Sequence, residues 1–257
     1  MTFAYKPDEK TAKRVRAIVP KLTAGATDAL RVQKLESAEI SMSVFAVLAG
    51  WWRFANRTAD AMLALYDQGF TVEVTPLMRN LVGHAYAINW LADHGEAGYR
   101  ALMDESHRSR KNLLENLEQV GWELPEEVEL EAPDFGFTTP DQKKEHDRRV
   151  GELRTFQNMV TAYGSPMLYP VYRNLSAYAH TTDLTASAFV SKVTDDEVVL
   201  HETSHADRLA DLCWMPVPLL QAASVMSPLL QGDPMRKLIR EASRDLGLPE
   251  DLAPRRP

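Results

Sequence analysis

One cysteine in 257 residues, Cys213, leaves no partner for an internal disulfide and no thiolate set for a zinc cluster. The framework of a small secreted domain is absent, and a reducing cytoplasm is the expected setting. Long apolar runs are missing too. The longest, 43–52, contains Gly50 and covers about half of the ~20 residues that span a bilayer. The N-terminal residues are polar and lack the apolar centre of a leader peptide, so no membrane partner is expected. Positive charge is in deficit, with 29 Lys and Arg against 36 Asp and Glu and a net charge of −7. That balance argues against a broad basic surface for long nucleic acid, because non-specific affinity comes from cations neutralising phosphates; any such contact must be local. There is no glycine-rich phosphate loop, no nucleophile elbow and no pair of Glu-x-x-His motifs of the di-iron kind, and no cofactor is expected.

What is present is a globular composition, 45% hydrophobic and 25% charged, long enough for a sizeable core and read as one domain over 1–257. Apolar residues from 27 to 67 recur at threes and fours, which predicts one long amphipathic helix or two end to end, with a stop at Gly69. Thr75-Pro76 reads as an N-cap and first-turn proline opening a helix to about His94, closed by Gly95. This helix is apolar on two faces and so is expected at the centre of the bundle. A more charged helix follows over 96–120, then an irregular connection over 122–138 rich in Glu, Pro and Gly. Thr139-Pro140 opens a helix to about 163, Ser165-Pro166 another, and further helices are expected over 204–230 and 233–245. The one extended piece is 197–200, inside the segment 196–201, and the tail 253–257 is expected to be disordered. The fold class is an all-α multi-helix bundle.

The most informative stretch runs from Tyr172 to His180, Tyr-Arg-Asn-Leu-Ser-Ala-Tyr-Ala-His. If it is helical throughout, Arg173 and His180 are two turns apart on one face. A guanidinium and an imidazole so placed can grip a phosphodiester and move a proton beside it. The arginine, the polar Asn174 after it and the following histidine resemble the signature of the HEPN superfamily, helical bundles that include many metal-independent ribonucleases. The resemblance implies a homodimer whose protomers meet at the cleft, attack by a ribose 2′-hydroxyl, and a toxin or phage-defence setting with an unknown protein antitoxin. It implies that Arg173 clamps the phosphate, His180 is general base or acid, and Asn174 orients either group. RNA or a nucleotide is the expected partner. The structural alternative is a salt bridge for Arg173 and a helix-end role for His180. A non-catalytic binding or regulatory module is the alternative function.

Arg79, Asn80 and His84 lie on the otherwise apolar helix opened by Pro76, where polar groups need partners. They form either a second wall of the cleft, with Tyr172 and Tyr178 as further binding residues, or a buried network without ligand. Arg79 and His84, five residues apart, are turned about 140° from each other on a helix. Finally, His201-Glu202-Thr203-Ser204-His205 matches the zinc-peptidase pattern, with Asp211 as a conceivable third ligand and a zinc hydrolase as the third reading. That chemistry requires a helix through all five residues, whereas 198–200 reads as extended and Thr203 or Ser204 as an N-cap.

Overall fold

A computed structural model describes residues 5–31, 40–122, 133–194 and 196–256. The architecture is an all-α bundle with one small hairpin. In chain order it comprises α1 (Glu9–Ala29), α2 (Met42–Asp67), α3 (Thr75–Gln119), α4 (Pro140–Arg154), α5 (Phe156–Ala162), α6 (Leu168–Ala177) and α7 (Asp183–Ser187). Strands β1 (Val190–Lys192) and β2 (Val198–Leu200) follow, then α8 (Leu209–Trp214), α9 (Pro216–Met226) and α10 (Arg236–Leu246).

α1 has no counterpart among the elements that the apolar periodicity predicts. Asp8 caps it by accepting from the Thr11 N–H at 2.8 Å, and its buried residues Val15, Val19, Leu22 and Ala26 return at threes and fours. The apolar periodicity over 27–67 therefore does not mark one element: α1 ends at Ala29 and α2 starts at Met42, where the Ser41 hydroxyl accepts from the Val44 N–H. Residues 32–39 lie outside the described residues.

α3 is central, packing against α2, α4, α6 and α9. Two buried stripes are the reason: Leu81, Ile88 and Leu91 on one, Met78, Val82, Ala85 and Asn89 on the other. The break expected at Gly95 is present, with φ +51° and ψ −129°, a conformation closed to side chains bearing a Cβ. Thr75 differs from expectation. It is the first helical residue rather than the cap, and its buried hydroxyl donates to Asp211 Oδ2 at 2.8 Å.

Just past the break, a Cβ on Gly98 would lie 2.7 Å from the Cβ of His94 and 3.3 Å from both Leu91 Cδ1 and Trp90 Cζ3. Alanine normally gains about 1 kcal/mol over glycine inside a helix. Here Gly98→Ala is expected to lose about 1–3 kcal/mol instead, because the obstacle is the root of a side chain rather than its flexible end. Urea unfolding checks this, and an unchanged or higher midpoint would refute it.

The helix expected over 139–163 is two. Thr155 adopts an extended conformation, φ −131° and ψ 127°, and its hydroxyl caps α5 by accepting from the Asn158 N–H. The hairpin pairs Val190 with Leu200 and Lys192 with Val198, so the extended piece expected at 197–200 is real and β1 is its unforeseen partner. The helix expected over 204–230 starts only at Leu209 and divides between Trp214 and Pro216. The stretch Leu209–Leu229 is apolar and long enough to cross a bilayer, yet most of its apolar window is buried and α9 packs on α1, α2 and α3, as a core helix does.

The tail departs from its expected disorder. The buried Asn89 donates to the Pro254 carbonyl at 2.9 Å, and Arg256 reaches Glu152 at 2.7 Å. Of the connection expected over 122–138, residues 133–138 are irregular as foreseen, and 123–132 lie outside the described residues.

Candidate functional site on the face between α3 and α6

α6 ends at Ala177, before the histidine of the motif. The single rod expected to carry Arg173 and His180 is therefore shorter than required. One tighter turn follows, closed by the Ala179 N–H donating to the Ser176 carbonyl. The chain then reverses, held by the Thr182 hydroxyl donating to the Ala177 carbonyl at 2.9 Å. His180 sits in that reversal. Arg173, Asn174 and His180 are all exposed, and none has a hydrogen-bond or ion-pair partner among the described residues.

Arg79 reaches α6 from α3. Its Nε donates to the Ser176 hydroxyl at 2.8 Å, which in turn donates to the Tyr172 carbonyl at 2.8 Å. The guanidinium lies over the Tyr172 ring, 4.8 Å from its centroid, and that ring stacks on Phe156 at 3.9 Å. Stacking and the hydroxyl contact hold a half-buried cation in place without a carboxylate. Burial pushes the Tyr172 phenol up, against the opposing charge of Arg79. Asn80 contributes only through Oδ1, 3.3 Å from Arg79.

His84 and Tyr178 are placed elsewhere. His84 Nδ1 lies 2.7 Å from the Asn80 carbonyl, which can only accept, so Nδ1 carries the proton; the ring packs on Phe54 of α2 at 4.7 Å. It is not part of a second wall facing α6. Tyr178 lies under Arg208, 4.7 Å from ring centroid to guanidinium carbon. Arg208 holds Asp211 bidentately at 2.7–2.9 Å, so the carboxylate is already saturated by Arg208 and Thr75. Beside this cluster a cleft of about 510 Å³ runs between α3, α6 and α8–α9, lined mainly by apolar groups such as Val82, Leu168, Val171 and Trp214.

The zinc reading fails on local geometry. Residues 201–205 are irregular, not helical, because the His201 and His205 N–H groups donate to the carbonyls of Phe189 and Ala188. His201 Nε2 lies 2.8 Å from the Ser191 hydroxyl, and Asp211 is tied to Arg208. Among the described residues no group of three or more His, Cys, Asp or Glu could hold a metal ion, Glu202 included. Cys213 offers no nucleophile: it is fully buried, and burial pushes its thiol up to about 11.

A second polar concentration, on the far side of α3, is structural. Glu152, 7% exposed, accepts from Trp90 Nε1 at 2.8 Å, from Arg256 at 2.7 Å and from Arg148. Burial pushes its carboxyl up, but the Arg256 and Trp90 hydrogen bonds and the two guanidinium charges outweigh this and hold it low. His94 packs beside it and is pushed down to about 4, mainly by burial and then by Arg256, with Glu152 opposing. The sign follows directly. Folded His94 stays neutral while the unfolded chain takes up a proton below its ordinary 6.5, so stability is complete above that value and falls as the pH drops toward about 4. The loss expected from this group is on the order of 3 kcal/mol. Chemical denaturation at pH 7 and pH 4.5 should show it, and His94→Gln should flatten the dependence; equal slopes in both proteins would remove His94 as the cause.

Sequence reasoning passed over Ser176, Phe156 and Arg208. Ser176 stood within the quoted motif, one turn beyond Tyr172, and that spacing was the available signal. The stacking of Phe156 on Tyr172 had no local signal, whereas Arg208 stands three residues before Asp211 and that spacing was available.

The fold and this face define an all-α protein with an exposed arginine on a short helix. Residues 45–198, three-fifths of the chain, match the family of unknown function DUF5677, and the chain belongs to that family. The match contains Arg79, Tyr172, Arg173, Asn174, Ser176 and His180 and stops before Arg208 and Asp211. No curated protein and no solved structure matches the chain.

Proposed function

We propose that the face between α3 and α6 binds the phosphate of RNA or a nucleotide and cleaves RNA in the manner the HEPN resemblance implies. One observation carries the reading: Arg173 on α6 and His180 just beyond its end are exposed and have no carboxylate partner among the described residues, and neither has Arg79, which is held on Tyr172 and Ser176 of the same helix. In a protein of net charge −7, cations left unneutralised on and beside one helix favour an anionic ligand.

In this reading His180 accepts the proton of a ribose 2′-hydroxyl as the O2′–P bond forms. The P–O5′ bond breaks and the leaving oxygen takes a proton, which gives a 2′,3′-cyclic phosphate and a 5′-hydroxyl end. Arg173 and Arg79 stabilise the charge gathering on the phosphoryl oxygens, and Asn174 orients the phosphate. A second copy completing the cleft, a cytoplasmic location and a toxin or defence setting belong to the same reading.

The apolar 510 Å³ cleft favours a second reading, in which the region holds a ligand or protein segment without chemistry. Incubating RNA with the protein in the presence of chelator separates the two. Fragments ending in cyclic phosphate, lost in Arg173→Ala and His180→Ala, are the expected result. Intact RNA that still binds in a salt-dependent way would favour the binding module, and RNA neither cut nor bound would end both.

A further inference from the structure

We propose that the cavity between the start of the second half of α3, α4 and the 133–138 segment is a separate site for a mononucleotide. It measures about 410 Å³, within the range of small-molecule sites, and opens to solvent. It shares no residue with the face between α3 and α6, so it stands or falls independently of the ribonuclease reading.

Three features select the ligand. The first is an unused charge pair. Glu96 and Arg100 are four residues apart on α3, the spacing at which such side chains ordinarily pair, yet each is exposed, has no partner among the described residues and lines the cavity. A guanidinium held open suits a phosphate; a carboxylate beside it suits ribose hydroxyls or a ring amino group. The second feature is an aromatic wall. Phe135 and Phe137 flank His146 with ring centroids at 4.7 and 4.9 Å, and Phe137 keeps 38% of its surface exposed, enough to stack a planar base.

The third is the way that wall is fixed. His146 is 4% exposed, and its Nε2 lies 2.9 Å from Asp104 Oδ2. The carboxylate accepts, so Nε2 carries the proton and Nδ1 is left as an acceptor. Nδ1 has no partner among the described residues, and the ring lines the cavity. Gln142 adds a donor: its Oε1 is occupied by the Thr138 N–H and hydroxyl, which leaves the amide nitrogen free. Arg149 is committed to Glu145 and to His94 Nδ1 and serves as framework.

Adenosine monophosphate is the probe, titrated calorimetrically into the full chain, with adenosine and inorganic phosphate as separate arms. The nucleotide should bind at least about tenfold tighter than either fragment, since only it meets both the ring wall and the guanidinium. Arg100→Gln should weaken it by about tenfold or more, the loss of one charge-assisted contact. Phe137→Leu should weaken the nucleotide and adenosine but not phosphate. Binding no tighter than phosphate alone, or wild-type affinity in Arg100→Gln, would overturn the proposal. Arg100 is exposed, so its variant is expected to fold, and a melting curve verifies this.

Discussion

Replacing His180 by alanine is expected to slow RNA cleavage by about 10²–10⁴-fold, the usual contribution of a positioned general base or acid. The same change should leave the melting temperature within error, because His180 is exposed, makes no hydrogen bond among the described residues and lies beyond the last turn of α6. Arg173→Ala should behave alike, and Arg173→Lys should restore part of the activity, since an ammonium supplies charge without the planar fork. The pairing of lost rate with retained stability is the discriminating result. A structural role for either side chain predicts the reverse, a lowered melting temperature, and measured cleavage by His180→Ala at the wild-type rate would remove the histidine from the chemistry.

The second large effect is on stability. Glu152→Ala is expected to cost about 3–5 kcal/mol, because it leaves buried donors without their acceptor. Trp90 Nε1 is sealed in the core with Glu152 as its partner, Arg148 loses one of its two carboxylates, and Arg256 loses the group that anchors the tail. Glu152→Gln keeps the shape and one acceptor oxygen and should cost less. A double-mutant cycle with Arg256→Ala tests the network directly: once Glu152 is gone, removing Arg256 should add little. Urea unfolding with an unchanged slope measures each value. A loss below about 1 kcal/mol for Glu152→Ala would mean that the pocket rehydrates and the network is not a stabilising unit.

Local rules made much of the architecture readable. Pro140 after Thr139 set the start of α4, Gly95 set the break inside α3, and two apolar stripes put the first half of α3 at the centre. They failed where a second element changed the meaning of a residue. Thr75 has the composition of a cap but spends its hydroxyl on Asp211, 136 positions away. Thr155 sits inside a helical pattern yet divides it by capping α5. The tail, polar and proline-rich, reads as disordered until Asn89 and Glu152 offer it partners.

The candidate site divides in the same way. The residues of the motif at 172–180 were visible from spacing, but the assumption that helix would continue through His180 was not met, because Thr182 draws the chain back onto Ala177. Arg79 was singled out for being polar on an apolar helix, and only the packing of α3 on α6 decided that it, and not His84, faces the motif. By itself the sequence determined the class of fold, the central helix and the chemical character of the cationic stretch, since these follow from periodicity and residue type. Tertiary structure alone decided which charges are neutralised from distant segments and which are left open, because Arg256, Arg154 and Arg16 find carboxylates across the fold while Arg79, Arg100 and Arg173 find none among the described residues. Pairing of that long-range kind depends on distances of a few ångströms between distant segments, and no local pattern encodes them.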